Sequence, residues 1–390
     1  MAYIWKFDLS PRTAEEEATS VNDKITSVIE LKGHTDTVTS VGFNFNGTLV
    51  LTGSYDGTVK IWKLDSGELL QTLEGPEDVE WAEWHSKGNA VIAGSRDGSI
   101  WMWLTANGQC VQVFAGHDGP VSAGCFSKDG KLVCSGGEDG TVRLWLPKTG
   151  QCRHTFEGHF GHEAMVTSMA SSVDGDLLLT GSADGTMKLF QLSGKKELMK
   201  FVHYDPAAPA NVANGVPTTV FNGLNSIAER NNENEDEEQE GDMDISGGEE
   251  GGDAVMAVEC VGFAKGGLKW VASGGMDKNL KVWDIASGAC RSICPHGGSV
   301  VALRWHDTLP IICTAALDNV IRIWDARNGA LLTELTGHTD LVTNLEMVSV
   351  QSFGSIANGP VSNNATDIIV TVSDDKTSKV FMVDMNALLN

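Results

Sequence analysis

Residues 33–65 read GHTDTVTSVGFNFNGTLVLTGSYDGTVKIWKLD. A Gly-His pair opens the stretch, an apolar run follows, a second run ends in Asp56-Gly57, and a third closes on Trp62. Alternating apolar residues bounded by turn residues predict strands at 38–43, 49–54, 59–64 and 69–73, lettered a to d. Asp-Gly between the second and third is a tight-hairpin signal. The unit then recurs about every 42 residues. Its closing aromatic returns as Trp103, Trp145, Phe190, Trp283, Trp324 and Phe381, and its hairpin as Asp97-Gly98, Asp139-Gly140, Asp184-Gly185, Asp277-Lys278, Asp318-Asn319 and Asp375-Lys376.

A four-stranded unit cannot bury both faces alone, so repeats of this kind stack radially. The period and marks resemble those of WD-repeat proteins, which implies an all-β fold, a WD-repeat β-propeller running through residues 1–390. Seven complete a-b-c triplets can be read, plus a fragment of an eighth blade: Tyr3-Ile4-Trp5-Lys6-Phe7-Asp8 aligns with Lys60-Ile61-Trp62-Lys63-Leu64-Asp65, so the first strand is of type c and 26–31 is its strand d. Either 26–31 closes a seven-bladed ring against the last triplet, or an eight-bladed ring has lost half a blade through a shortened start. The second is the expectation. Residues 385–390 are too few for a full outer strand.

Two insertions interrupt the period. Residues 205–253 open with Pro206, Pro209 and Pro217 and turn acidic, with twelve acids and one base between Glu229 and Asp253. Such composition predicts disorder, and the place between a strand d and the next strand a puts it on the top face. Residues 351–366, rich in Asn, Ser and Gly, fall in an a–b loop on the bottom.

The formal charge is −24. That sign opposes phosphate neutralisation and anionic membranes, and complements a basic protein segment. No apolar run reaches membrane-spanning length and no secretory leader is visible, which predicts a cytoplasmic and also nuclear protein, expected to be a monomer. The eight cysteines lack metal spacing; Cys110, Cys152 and Cys290 share one repeat slot, which predicts small buried side chains, with no disulfide or zinc.

His34, Thr52, Asp56 and Trp62 look like a catalytic set, but they recur as His117, Ser135, Asp139 and Trp145, and as His296, Thr314, Asp318 and Trp324. An enzyme needs one site, and the resemblance to WD-repeat proteins implies buried hydrogen-bonded chains. Blade two departs, with Pro76 for the His and Ala93 for the Ser/Thr. His159 and His162, beside Glu163, offer a metal pair; a Gly-His repeat mark at His159 with a short insertion is the favoured reading. Neither a phosphate-binding loop nor a calcium loop is present. The chain is read as a non-enzyme with no metal and no cofactor.

Residues suited to binding lie elsewhere. The d–a loops present Asp36, Glu77, Asp78, Asp118, Glu163 and Asp340, which the fold would gather around one channel mouth. The segment 229–253 carries −11 and its removal leaves −13, so the ring itself is acidic. A turn-capping role for these acids is the alternative. Trp101 fills a strand-c slot held elsewhere by Lys60, Arg143, Lys188, Lys281, Arg322 and Lys379, which implies an exposed position. Trp81 replaces Ser40, Ala123 and Ala302 of other blades. The two tryptophans are either binding anchors or packing in a divergent blade.

Blade two also carries a narrower likeness. Val79-Glu80-Trp81-Ala82-Glu83-Trp84-His85, Ala93-Gly94-Ser95 and Trp101-Met102-Trp103, with Ile323-Trp324-Asp325-Ala326-Arg327 and 331–338, resemble the angio-associated migratory cell protein family. That family is similar, more distantly, to the fungal WD-repeat chaperone of ribosomal protein L-ten. The resemblance implies a chaperone that holds a basic large-subunit ribosomal protein segment on an acidic face during ribosome assembly. A signalling or ubiquitin-pathway scaffold and a histone chaperone are the alternatives.

Overall fold

The computed structural model describes residues 2–7, 25–204, 256–350, 366–373, 378–383 and 385–389. The first repeat folds as Val38–Phe43, Leu49–Ser54, Thr58–Lys63 and Leu69–Glu74, within a residue of the expected strands. Six such four-stranded antiparallel sheets, blades one to six, follow one another in chain order. Blade seven has three strands, Val342–Val350, Thr366–Ser373 and Ser378–Val383, and is followed by a short helix, Met385–Leu388, in place of an outer strand. Ala2–Phe7 pairs with Ile25–Leu31 as a separate two-stranded sheet, so the second strand does not close onto blade seven. No helix among the described residues is long and apolar enough to cross a membrane. The insertions at 205–253 and 351–366 lie outside the described residues, Thr366 excepted.

Strand a of each blade packs against strand a of the next, from blade one to blade seven. Together they surround a central channel with a cavity of 540 Å³ that residues of all seven blades line. Each blade interface is an apolar sandwich. Between blades one and two it holds Leu51, Val59, Ile61, Val79, Trp84, Val91 and Trp103. Fully burying side chains of this size contributes about 1.5–3 kcal/mol each. Polar stitches join neighbouring strands a: Thr39 Oγ1 donates to the Val79 carbonyl at 2.8 Å, and Ser122 Oγ to that of Val166 at 2.6 Å.

The b–c hairpins take the left-handed residue that the Asp-Gly pairs predict, with φ of 76° at Gly57. A Cβ there would lie 2.7 Å from the Glu77 carbonyl oxygen of the next d–a loop, so the hairpin of one blade is packed against the loop entering its neighbour. Lys278 and Asn319 adopt the same φ region, at 63° and 67°. Antiparallel order places all d–a and b–c connections on one face and all a–b and c–d connections on the other.

The shared cysteine slot is a correction. Cys110 and Cys152 are exposed and Cys290 is half-buried. The slot lies at the β-bulge where the outermost strand pairs with strand c, and each thiol donates to the carbonyl two residues on (3.7 Å from Cys110 to Gln112, 3.3 Å from Cys152 to His154, 3.5 Å from Cys290 to Ser292). The slot is shared because the bulge is, not because it is buried.

Candidate functional site

The face carrying the d–a loops is organised by histidines. His34 binds Asp56 at 2.8 Å and Thr52 at 2.8 Å, and Trp62 Nε1 donates to Thr52 Oγ1 at 2.8 Å. His117 binds Asp139 at 3.0 Å and Ser135 at 2.7 Å, and Trp145 closes the chain at 2.8 Å. Every member is satisfied, so the network costs no unpaired polar group and fixes the loop.

Three positions differ from the sequence reading. In blade six, His296 reaches Thr314 at 2.8 Å and Trp324 donates to Thr314 at 3.0 Å, but the other imidazole nitrogen meets the Cys294 carbonyl at 2.9 Å. Asp318 pairs with Arg322 at 2.7 Å instead. In blade four the network residue is His162, which binds Asp184 at 3.0 Å and Thr180 at 2.7 Å. His159 sits in an exposed 3-10 turn, so the repeat mark falls three residues later than expected and the two histidines do different jobs. In blade five the role falls to His203, which binds Ser273 at 2.7 Å and Asp277 at 2.9 Å across the whole insertion.

Burial holds the His296 imidazole down at about 4, with the Arg322 charge acting the same way. Burial also lowers His117 and His203 against the pull of their carboxylates. Burial alone would raise Asp56, but bonds from Thr58, the Thr35 N–H and His34 keep it at about 2. A histidine lowered in the fold binds its proton on unfolding, so stability falls as the pH drops from the ordinary histidine value near 6.5 through 4. The Asp56 contribution persists until the pH falls below about 4 and is lost through 2. We expect the His296 linkage to remove roughly 2 kcal/mol between pH 7 and pH 5, read as a drop in denaturant midpoint that His296→Gln flattens. A midpoint unchanged over that interval would contradict neutral buried rings.

The acids stand on loops that this network pins. The Thr35, Asp118 and Glu163 amides donate to Asp56, Asp139 and Asp184 at 3.0, 3.1 and 3.0 Å. Asp36, Glu77, Asp118, Glu163 and Asp340 are exposed. Asp36 and Asp340 also accept from the next amide, at 2.7 and 2.9 Å, so a turn-capping role coexists with exposure. Asp78 is different: it is half-buried and bound to Arg96 at 3.3 Å, and Arg96 also approaches Glu80 at 3.8 Å. Arg96 thus offsets the acids of blade two. Sequence reasoning missed Glu138, exposed on the b–c turn against Gly119 and Pro120, and the exposed Tyr55, Met276 and Leu317 at the corresponding turn position in other blades.

The strand-c slot is also a correction. Lys60, Lys188 and Lys281 are buried there. Their stems pack against the blade while the amines reach inward, as when Lys188 Nζ donates to the Gly161 carbonyl at 2.7 Å and Lys281 Nζ pairs with Asp277 at 3.0 Å. Trp101 in this slot is half-buried; it stacks on Trp103 at 6.1 Å and donates to Ser99 at 2.8 Å. It lies under Gly75, as Lys60 lies under Gly33, and fills blade two where Pro76 and Ala93 remove the histidine chain. Trp81 wedges between blades two and three, against Gly94 and Gly124, and donates to the Val121 carbonyl at 2.9 Å. Both tryptophans have packing partners: Trp101 lies under the loop that carries Glu77 and Asp78, and Trp81 bonds the end of the loop that carries Asp118.

The WD domain, G-beta repeat family matches residues 25–63, 67–103, 108–145, 150–191, 256–284 and 288–325. Angio-associated migratory cell protein of Canis lupus familiaris is 33% identical over 356 residues, 91% of this chain and 70% of that protein, and the Homo sapiens protein matches to the same extent. The computationally designed Ika8 protein superposes with a TM-score of 0.55 at 24% identity, over 90% of this chain and 98% of its own, which speaks to fold alone. The chain therefore belongs to the WD domain, G-beta repeat family and is related to angio-associated migratory cell protein.

Proposed function

We propose that this propeller is a non-enzymatic protein-binding module that holds a basic protein segment on its acidic d–a face. The observation that carries the reading is the set Asp36, Asp118 and Glu163: exposed carboxylates on one face, without a cation paired to them among the described residues, on loops fixed by Asp56, Asp139 and Asp184. Like charges held on a rigid rim raise the local potential and speed capture of an opposite charge. The specific client is a large-subunit ribosomal protein, shielded until it joins the ribosome. This finer reading rests on the blade-two resemblance and the charge. It places the protein in the cytoplasm and also the nucleus, as a monomer.

Affinity purification of the tagged chain from cells, washed at low and at high salt, tests it. A ribosomal protein retained at low salt and released at high salt is the expected result. Recovery of histones or of signalling and ubiquitin components in its place would overturn the client, and a partner insensitive to salt would overturn the electrostatic mechanism.

A further inference from the structure

The c–d turns of blades two, three and six press against the outermost strand of the preceding blade, and glycine makes that approach possible. A Cβ at Gly150 would lie 2.0 Å from Gln112 Nε2, and one at Gly329 2.8 Å from Ser292 Cβ. The turn glycines also hold the left-handed conformation, with φ of 69° at Gly67, 70° at Gly108, Gly150 and Gly288, and 73° at Gly329. Blade four departs from the pattern. Its turn, Ser193-Gly194-Lys195-Lys196, places Lys195 in the left-handed position with φ of 50°, and Gly194 does not take it. A side chain there costs more than glycine, and such residues concentrate at functional positions.

The lysine is tied to blade three. The outermost strand there, Cys152–Phe156, carries a bulge that leaves Arg153 without a partner on strand c, and Lys195 Nζ donates to the Arg153 carbonyl at 3.2 Å. Arg153, Lys195 and Lys196 are exposed, and no carboxylate pairs with them among the described residues. The acids nearby are engaged elsewhere. Glu197 is buried against Lys188 at 3.2 Å, and Asp176 accepts from the Ser193 amide at 2.9 Å and from Gln191 at 3.0 Å. Burial and then the Lys195 charge lower the His154 imidazole, with no carboxylate pulling the other way. In a chain of formal charge −24, this seam is a local patch of positive potential. It lies on the c–d side, opposite the rim acids.

We propose that the seam between blades three and four recognises a phosphate monoester carried on a partner protein, a phosphorylated serine or threonine. Such a group brings a charge of about −2 and strong acceptor oxygens at neutral pH. The Arg153 guanidinium offers paired donors to those oxygens, and Lys195 and Lys196 add point charges beside it. The bulge frees Arg153 from the strand ladder, and its carbonyl holds the Lys195 amine next to the same residue. A compact dianion suits the seam better than a nucleic acid. The cationic surface is one turn and one bulge wide, and a polyanion reaching past it would meet the field of an acidic protein. Glycine at this turn would relieve the backbone, so the lysine serves recognition and not the turn itself. The seam is independent of the rim, and both faces can be occupied at once.

The test titrates the intact protein into a short labelled peptide, one phosphoserine set among glycines and alanines, and reads fluorescence anisotropy. Saturable binding is expected, and the unphosphorylated peptide should bind about 10-fold more weakly. Arg153→Gln and Lys195→Gly should each weaken the phosphopeptide about 10-fold. Lys195→Gly installs the residue that five other c–d turns use, so its denaturant midpoint should equal or exceed that of the wild type. Absence of saturable binding, equal binding of the two peptides, or indifference to both substitutions would overturn the site. A lowered midpoint in Lys195→Gly would make the lysine a packing residue and overturn its role in recognition. Inorganic phosphate binding as tightly as the phosphopeptide would assign the seam to a free anion. A polyuridine oligonucleotide binding more tightly through the same residues would assign it to nucleic acid. Either result would overturn a phosphoprotein partner.

Discussion

Replacing Asp36, Asp118 and Glu163 together by lysine is expected to weaken binding of a lysine- and arginine-rich peptide roughly 100-fold at low ionic strength. An exposed charge contact contributes about 0.5 kcal/mol; reversal removes an attraction and adds a repulsion, so three sites change binding by about 3 kcal/mol. The loss should shrink sharply at 0.5 M salt, where the Debye length is only about 4 Å. Most of the change belongs in the association rate, because the charges lie on a rim. Glu68→Lys is the control. It makes a charge reversal of the same size on a c–d loop, hence on the opposite face, and should leave affinity within about twofold. Fluorescence anisotropy at two salt concentrations measures both, and equal losses from the rim triple and, per charge, from Glu68→Lys would show that net charge alone matters.

Trp81→Ala carries the largest expected effect on stability, about 3 kcal/mol, because removing a half-buried indole wedged between two blades leaves a cavity the sheets cannot close. The ring is fitted to glycines on both sides: a Cβ at Gly94 would lie 2.2 Å from its Nε1 and one at Gly124 2.1 Å from its Cζ2. Neither backbone can move inward without breaking its own strand pairing, and the Val121 carbonyl loses its indole donor. Gly124→Ala should destabilise by the opposite fault, overpacking, by about 1–3 kcal/mol. Guanidinium unfolding at neutral pH measures both. A Trp81→Ala variant that keeps its stability yet loses a partner would make the indole an anchor for binding.

The strands were legible because their alternation and hairpins are local, and the first repeat agrees with expectation to within a residue. The histidine networks were legible where the spacing is undisturbed: His34 to Thr52 and His117 to Ser135 both span 18 residues. The same count from Thr180 lands on His162, so spacing resolves the ambiguity that two adjacent Gly-His pairs create. His203 stands 70 residues before Ser273, and the insertion hides it from any fixed spacing. Charge misled at the strand-c slot, since a long cationic stem can be buried while its amine reaches a loop carbonyl. The rim acids could be read because each lies within two residues of a repeat landmark, but pairing of Asp78 with Arg96 depends on two loops meeting in space. Trp81 was undecidable from sequence, because Gly94 and Gly124 become its neighbours only once the blades are stacked.

His203 anchors the last turn before the insertion: Ser273 and Asp277 grip its ring, and Lys281 Nζ holds its carbonyl. Strand pairing resumes at Val258. The scaffold is thus sealed on both flanks of the excursion, and its architecture is indifferent to what lies between. Lengthening a closed loop adds only about 0.6 kcal/mol per doubling. Evolution can therefore trade, extend or re-code that tether at little thermodynamic risk, and new specificity can arise there without renegotiating the toroid.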